Sequence, residues 1–133
     1  MLDQLTAGLN FQSNALLLRS QRQQVLASNI ANADTPGYIA RDFDFAQALK
    51  TAAGGVPRSA VSTTDARHLR LGRADPLNPG LAYTVQTEPS QDGNSVDLDR
   101  ERANFVDNSI RYESTLRFIN GHVKTMLSAI SGQ

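Results

Sequence analysis

The sequence has no cysteine and no tryptophan, and only 6% of its 133 residues are aromatic. The lack of cysteine excludes disulfides, thiolate metal sites and cysteine nucleophiles, and is compatible with any redox compartment. A net charge is also lacking, because 13 basic residues balance 13 acidic ones. Binders of nucleic acid or of anionic membranes gain affinity from a basic excess, so the composition argues against both partners.

Long apolar runs are missing as well. No stretch approaches the roughly 20 apolar residues of a membrane span, so we expect no membrane insertion. Residues 1–10 have neither the basic start nor the continuous apolar run of a secretory signal peptide. We therefore expect that, if the protein leaves the cytoplasm, a route other than general secretion carries it.

Residue patterns that carry chemistry are scarce. The only histidines are His68 and His122, and neither is followed three or four residues later by a second metal ligand or lies near an acidic cluster. Three arginines, Arg67, Arg70 and Arg73, lie close together without interleaved aromatics, which favours a solvated or subunit-contacting surface over a nucleic-acid site. We expect no enzyme activity, no cofactor and no metal.

Helical periodicity dominates both ends of the chain. A helix predicted over Asp97 to Ile130 would be roughly 50 Å long, more than a compact domain of this size can cover, so it needs a partner. Its apolar positions recur in alternating steps of four and three, typical of a coiled-coil seam interrupted at Arg102 and Ser109. We expect Tyr112 to Ile130 to be its most densely packed part. The apolar seam positions are Leu98, Phe105, Tyr112, Leu116, Ile119, Val123, Met126 and Ile130.

A weaker stripe of the same period occupies the N-terminal end. Gly8 and Asn10 are poor helix formers and allow a break there, with the helix restarting at Ser13. An antiparallel pairing of the two terminal helices is the simplest way to cover part of each stripe. The N-terminal stripe consists of Leu2, Leu5, Leu9, Gln12, Leu16, Arg19, Gln23, Leu26 and Ile30.

A cluster of helix-stopping residues from Asn29 to Tyr38 is predicted to end the first helix. Asn32 is a candidate left-handed cap, and Pro36 prevents any continuation. Pro36 and Gly37 fit the central positions of a type II turn, which requires a positive φ at Gly37. A plain turn accounts for this pattern equally well.

The middle of the chain, residues 39–94, has a different character. Alternation favours a short extended segment from Ile39 to Phe45, and Asp44 is placed to cap a brief helix through Leu49. Thr51 to Ser62 is typical of a loop. A short strand is predicted around Tyr83, Val85 and Thr87, and Asp97 caps the last helix with Asp99 and Glu101 near its positive end.

One fold accounts for these patterns. We predict a mainly α fold in which two long terminal helices form an antiparallel coiled-coil-like hairpin. Residues 1–32 and 96–133 would form one axial coiled-coil domain, and residues 33–95 a connector with a small, partly flexible β-containing insertion.

The run Asn-x-x-Asn-x-x-Thr-Pro-Gly-Tyr that closes the first helix resembles the signature of the bacterial flagellar rod and hook axial proteins. The matching residues are Asn29, Asn32, Thr35, Pro36, Gly37 and Tyr38. Segments 41–45, 64–69 and 94–101 and the short chain are similar to the proximal rod members of that family, two of which are of this size.

The resemblance implies a structural subunit of the proximal rod, without catalysis. Its terminal helices would build a tubular shaft that transmits torque and surrounds the export channel. The implied partners are copies of itself, other rod proteins, the MS-ring base of the basal body, the rod adaptor and, during secretion, export-gate proteins. The implied location is the periplasmic rod, reached by export without a cleaved signal peptide.

Two further expectations concern particular residues. Phe45 and Leu49 have the spacing of an export signal in early substrates of the flagellar export machine, although one apolar face of a short helix explains the pair more simply. The residues expected to form the assembly seam are Leu16, Leu26, Ile30, Phe105, Tyr112, Leu116, Ile119, Val123, Met126 and Ile130. A stand-alone helical adaptor or regulatory coiled coil that binds one partner remains the alternative.

Overall fold

The computed structural model describes residues 2–54, 77–84 and 90–132. Helix α1 spans Leu2–Ala31 and helix α3 spans Leu98–Ser131. Between them lie strand β1 (Arg41–Asp42), helix α2 (Phe45–Ala52) and strand β2 (Ala82–Tyr83). The predicted mainly α fold is confirmed, with long terminal helices packed on each other and a small two-stranded sheet between them.

The two long helices run antiparallel. The side-chain amide of Asn29, near the end of α1, donates to Glu101 at the start of α3. Later residues of α3 pair with earlier residues of α1. Gln23 of α1 donates to the carbonyl of Phe105, and Asn108 of α3 donates to the carbonyl of Arg19. The helices therefore form a hairpin whose closed end carries the connector.

Helix α1 is continuous, so the break that Gly8 and Asn10 allow does not occur. A Cβ added at Gly8 would meet nothing within 4 Å, which shows that no close contact requires glycine there. One glycine costs a helix about 1 kcal/mol relative to alanine, and this is too little to interrupt a helix whose later turns pack on α3.

The densest packing lies near the connector. The buried residues of α3 are Glu101, Asn108 and Thr115, whereas Val123 is 38% and Ile130 83% exposed. The expectation that Tyr112 to Ile130 would be the most densely packed part is therefore wrong. The physical reason is that α2 packs beside Leu18 in the middle of α1 and the connector packs where α1 ends, so neither reaches the far end of α3.

A small apolar core joins α2 to α1. Leu18, Phe43 and Ala48 are buried, and Phe45, Leu49 and Ala52 pack against them. Asp44 caps α2 as predicted, since its carboxylate accepts a hydrogen bond from the amide of Gln47 at 3.0 Å. The helix continues past Leu49, and Thr51 belongs to it rather than to the predicted loop, because its hydroxyl donates back to the carbonyl of Gln47.

The sheet is minimal. Arg41 pairs with Tyr83 and Asp42 with Ala82 in antiparallel register, and the amide of Thr84 donates to the carbonyl of Ala40. This places β1 within the predicted extended segment and β2 at the start of the predicted strand. Several sequence expectations lie outside the described residues: the strand positions Val85 and Thr87, the arginines Arg67, Arg70 and Arg73, His68, and residues 55–62 of the loop.

Candidate assembly surface

The chain leaves α1 through a tight turn. The amide of Tyr38 donates to the carbonyl of Thr35 at 3.2 Å, and Gly37 has a φ of 70°. These are features of a type II turn with Pro36 and Gly37 at its centre. The amide of Gly37 also donates to the carbonyl of Asp92, which ties this turn to the segment that enters α3.

Asn29 connects four parts of the molecule. It is fully buried, and its side-chain nitrogen donates to the carbonyl of Arg41 at 2.7 Å and to Glu101 at 2.9 Å. Its side-chain oxygen accepts from the Tyr38 hydroxyl and from the Arg41 amide, each at 3.2 Å. Both donors and both acceptor positions of the amide are thus used, and α1, the exit turn, β1 and α3 are held together.

The other motif residues support the same corner. The side-chain amide of Asn32 donates to the carbonyl of Ser28 at 2.8 Å, which satisfies a carbonyl in the last turn of α1. The hydroxyl of Thr35 donates to the Asn32 side chain. The structure thus brings Asn29, Asn32, Thr35 and Tyr38 together at the helix end, while Pro36 is exposed.

Asn94 is a structural residue of this corner that the sequence motif does not include. It is 5% exposed, and its side-chain nitrogen lies within 3.0 Å of the carbonyls of Asn32, Ala33 and Thr35. The turn-forming composition around Asn94 is visible in the sequence, but the partners are distant in the chain. No local pattern could have identified them.

Polar groups form the central contact row between α1 and α3. The side-chain nitrogen of Asn108 lies 2.9 Å from the carbonyl of Arg19 and 2.6 Å from the side-chain oxygen of Gln23. Glu101 lies in the first turn of α3, near its positive end as expected, and it is also buried against Asn29. The contact row therefore runs through Glu101, Asn108 and Thr115, between the predicted apolar positions.

The predicted seam residues lie in three environments. Leu26 is fully buried inside the hairpin. Val123 and Ile130 are exposed. The remaining ones are half-buried beside the contact row, namely Leu16, Ile30, Phe105, Tyr112, Leu116, Ile119 and Met126.

Further apolar side chains project from α3 outside the predicted seam. Val106, Ile110, Phe118 and Leu127 are each more than half exposed. Val106 and Ile110 lie on the side of α3 opposite Asn108 at the helical angle of 100° per residue. Helix α3 thus contacts α1 with one face and presents apolar groups on others, and exposed apolar surface of this kind marks association.

An ion pair fixes β1 to α1. Arg22 donates to both carboxylate oxygens of Asp42, at 3.1 and 2.7 Å, and this hydrogen bonding raises the pKa of Arg22. The side chains are only about a quarter exposed. Such a bidentate pair has a defined geometry, so it positions the start of α2.

Phe45 and Leu49, the candidate export signal, both lie on the face of α2 that packs on the small core of α1. The Arg19 guanidinium lies over the Phe45 ring at 4.3 Å from its centre. The structure therefore supports the simpler explanation of their spacing as one apolar helix face.

Residues 2–54, 77–84 and 90–132 contain no cluster of three or more His, Cys, Asp or Glu side chains that could hold a metal ion. His122 is exposed on α3. Among the described helices, none combines the length and apolar character that crossing a membrane requires.

Comparison with known proteins places these features in context. A family model described as "Flagella basal body rod protein" matches residues 9–38, which include the end of α1 and the exit turn. The flagellar basal body rod protein FlgB of Yersinia enterocolitica is 48% identical to the chain, with 98% of each chain covered. The FlgB proteins of Escherichia coli strain K12 and Buchnera aphidicola are 46% and 38% identical, covering 98% and 99% of this chain and 97% and 100% of their own.

Proposed function

The chain belongs to the FlgB family of flagellar basal body rod proteins and is a structural subunit of that rod, and we propose that its terminal helices build the rod wall. The main support for this proposal is that α3 has two kinds of surface. One face contacts α1 through Glu101, Asn108 and Thr115, and other faces expose apolar side chains. Contacts between unlike surfaces that do not close into a ring generate helical assemblies, and a rod is one.

The proposed axial domain consists of residues 1–32 and 96–133, with residues 33–95 as connector and insertion. The exposed end of the hairpin supports this division, because the subunit's described residues leave Val123, Leu127 and Ile130 exposed. Neighbouring helices supply that cover in the assembled wall. The seam residues expected from the sequence act in two ways: Leu26 holds the hairpin, and the exposed members contact other subunits.

The end of the hairpin that carries the connector is held rigidly, which suits a subunit that transmits torque. Asn29, Asn94 and the Arg22–Asp42 pair lock the connector onto both long helices. A load applied to one helix is then passed to the other through several hydrogen bonds. The subunit is a mechanical part that surrounds the export channel, and it catalyses no reaction.

The proposed partners are copies of this chain, other rod proteins, the MS-ring base of the basal body and the rod adaptor. The subunit reaches the periplasmic rod by flagellar export without a cleaved signal peptide, and export-gate proteins engage it on the way. Phe45 and Leu49 are the proposed export signal. Because both pack on α1 in the folded chain, the gate reads them while α2 is detached.

The rod function is tested by deletion and complementation. Cells that lack the gene are expected to form basal bodies without a complete proximal rod, and a tagged copy of the chain should restore the rod and co-purify with it. Intact rods in the deletion strain would overturn the proposal.

The export signal needs a separate test. Phe45→Ala combined with Leu49→Ala should reduce secretion of the subunit, whereas Lys50→Ala, at an exposed position of the same helix, should leave secretion unchanged. Equal secretion of both variants would remove the export signal and leave the rod function standing.

A further inference from the structure

A cleft of about 360 Å³ lies where α1, α3 and the beginning of α2 meet. The charged groups that line it are Arg19, Arg22, Arg111, Asp44 and Asp107. Phe45 forms part of its wall. The cleft thus combines contributions from three separate helices with several charges in a small volume.

Most of these charges have partners inside the subunit. Arg22 is held by Asp42, and Arg111 donates to Asp107 at 2.9 Å. Asp44 accepts the capping hydrogen bond from the amide of Gln47. These groups line the cleft, but each of them already has a polar partner within the subunit.

Arg19 is the exception. Its Nε atom is buried and has no hydrogen-bond partner within the part of the chain that the structure describes. The guanidinium lies over the ring of Phe45. A cation held over a ring interacts with the face of that ring, and its N–H donors remain available for an acceptor.

The surroundings make this arrangement unfavourable in the free subunit. Burial, followed by repulsion from Arg111, lowers the pKa of Arg19, and the attraction of Asp107 offsets this only in part. A buried donor without an acceptor costs free energy, and the cost is larger for a charged group. An anionic acceptor that entered the cleft would remove both penalties.

We propose that this cleft docks a carboxylate side chain of an adjoining rod subunit, with Arg19 donating to it. The guanidinium edge matches a planar carboxylate, to which two parallel N–H donors can bind. Asp44 and Asp107 on the cleft wall would repel a doubly charged phosphate more strongly than a singly charged carboxylate. The inference rests on the proposed rod function, because a neighbouring subunit supplies the acid.

Assembly of an Arg19→Met variant is the first test. Methionine keeps an unbranched apolar stem against Phe45 and removes the donors and the charge. The thermal unfolding midpoint of the free chain should stay unchanged or rise, since a buried Nε donor without a partner is lost. The fraction of subunit retained in purified basal bodies should fall about tenfold or more, the effect of one charge-assisted hydrogen bond. Arg102→Met, at an exposed position outside the cleft, is the control and should be retained normally.

Each alternative result is decisive. Normal retention of Arg19→Met overturns the docking site but leaves the rod function intact, whereas absence of the wild-type chain from rods would overturn the rod function itself. A lower unfolding midpoint of the free Arg19→Met chain would show that Arg19 stabilises the subunit internally, and this also overturns the docking site.

The chemical identity of the partner is tested in assembled basal bodies with Arg19→Lys. A water-soluble carbodiimide joins an amine to a carboxylate in direct contact, so mass spectrometry should find position 19 linked to an Asp or Glu of another subunit. A link only to Asp44 or Asp107 of the same chain, or no link, contradicts the proposal. In a separate experiment, millimolar inorganic phosphate should shift the unfolding midpoints of the wild-type chain and of Arg19→Met by the same amount. A larger upward shift of the wild-type chain would identify a free anion as the occupant and would contradict the proposal.

Discussion

Asn29 shows how one polar side chain can hold a helical hairpin closed. Its amide makes four hydrogen bonds, to Arg41 twice, to Tyr38 and to Glu101. A buried amide with all its positions used stabilises one arrangement of its neighbours, because any displacement leaves polar groups without partners. The corner of the subunit is therefore specified by polar geometry more than by apolar volume.

Replacing Asn29 by Asp tests this role. The change keeps the shape of the side chain but removes both donors and places a second carboxylate beside Glu101. We expect the free energy of unfolding to fall by about 3 kcal/mol or more, the usual cost of an uncompensated buried charge. Urea unfolding followed by circular dichroism measures it. Asn120→Asp on the exposed surface of α3 is the matched control and should change the midpoint little; equal effects of the two substitutions would contradict the role of Asn29.

Glycine is required in the exit turn and not in α1, and two alanine substitutions show the difference. Gly37 has a φ of 70°, so Gly37→Ala should destabilise the chain by about 1 kcal/mol. Gly8 lies in continuous helix with open space around it, so Gly8→Ala should increase helix content and stabilise α1 by up to about 1 kcal/mol. Helix content and thermal midpoints measure both effects, and shifts of the same sign would contradict the assignment.

Local chemistry made part of this corner predictable. Pro36, Gly37 and the asparagines stop a helix and form a turn through interactions with near neighbours in the chain. The hydrogen bonds of Asn29 to Glu101 and of Asn94 to the end of α1 could not be predicted, because they depend on how the two ends of the chain meet.

The period of α3 was predictable from the sequence, but the face it turns toward α1 was not. Apolar positions in steps of four and three correctly indicated a long helix. The centre of the contact with α1 is instead the row of Glu101, Asn108 and Thr115. These residues are polar or charged, so the apolar pattern does not include them. Hydrogen bonds from Asn29 to Glu101 and from the side-chain nitrogen of Asn108 to α1 compensate part of the burial of these residues, so polarity alone did not indicate exposure.

The pair of Asn108 and Gln23 allows this polar row to be tested. Asn108 donates to the Gln23 side chain at 2.6 Å, and Gln23 donates to the carbonyl of Phe105. We expect Asn108→Ala and Gln23→Ala each to lower the unfolding free energy by about 1 kcal/mol or more. The double variant should lose less than the sum, with a coupling energy of about 1 kcal/mol in a double-mutant cycle. Additive losses would mean that the two side chains do not cooperate in joining the helices.

The whole subunit has a closed end and an open end. Helix α2 packs on α1, and the exit turn and Asn29 join α1 to the start of α3, whereas Val123, Leu127 and Ile130 are exposed at the other end. A single chain of this length cannot cover two helices of 30 and 34 residues along their entire lengths. The open end is where neighbouring subunits contribute most to burial in the rod.

A charge at Ile130 tests the open end without disturbing the fold. Leu116 and Ile119 are half-buried near α1, so charges there would affect folding and assembly together. Ile130 is 83% exposed, so Ile130→Asp should leave the unfolding midpoint and the secretion of the free chain unchanged. Its recovery in purified basal bodies should fall more than tenfold, because the assembled wall would bury an unpaired charge. His122→Asp, also exposed on α3, is the control. Recovery of Ile130→Asp at the control level would contradict the proposed seam.

A subunit-resolved map of the assembled basal body would examine the wall itself. It should show this chain in the proximal rod with its antiparallel hairpin intact, and with Val123, Leu127 and Ile130 of α3 packed against helices of neighbouring subunits. A map in which the chain is absent from the rod, or in which these three side chains face water while other surfaces make the subunit contacts, would contradict the proposal that the terminal helices build the wall.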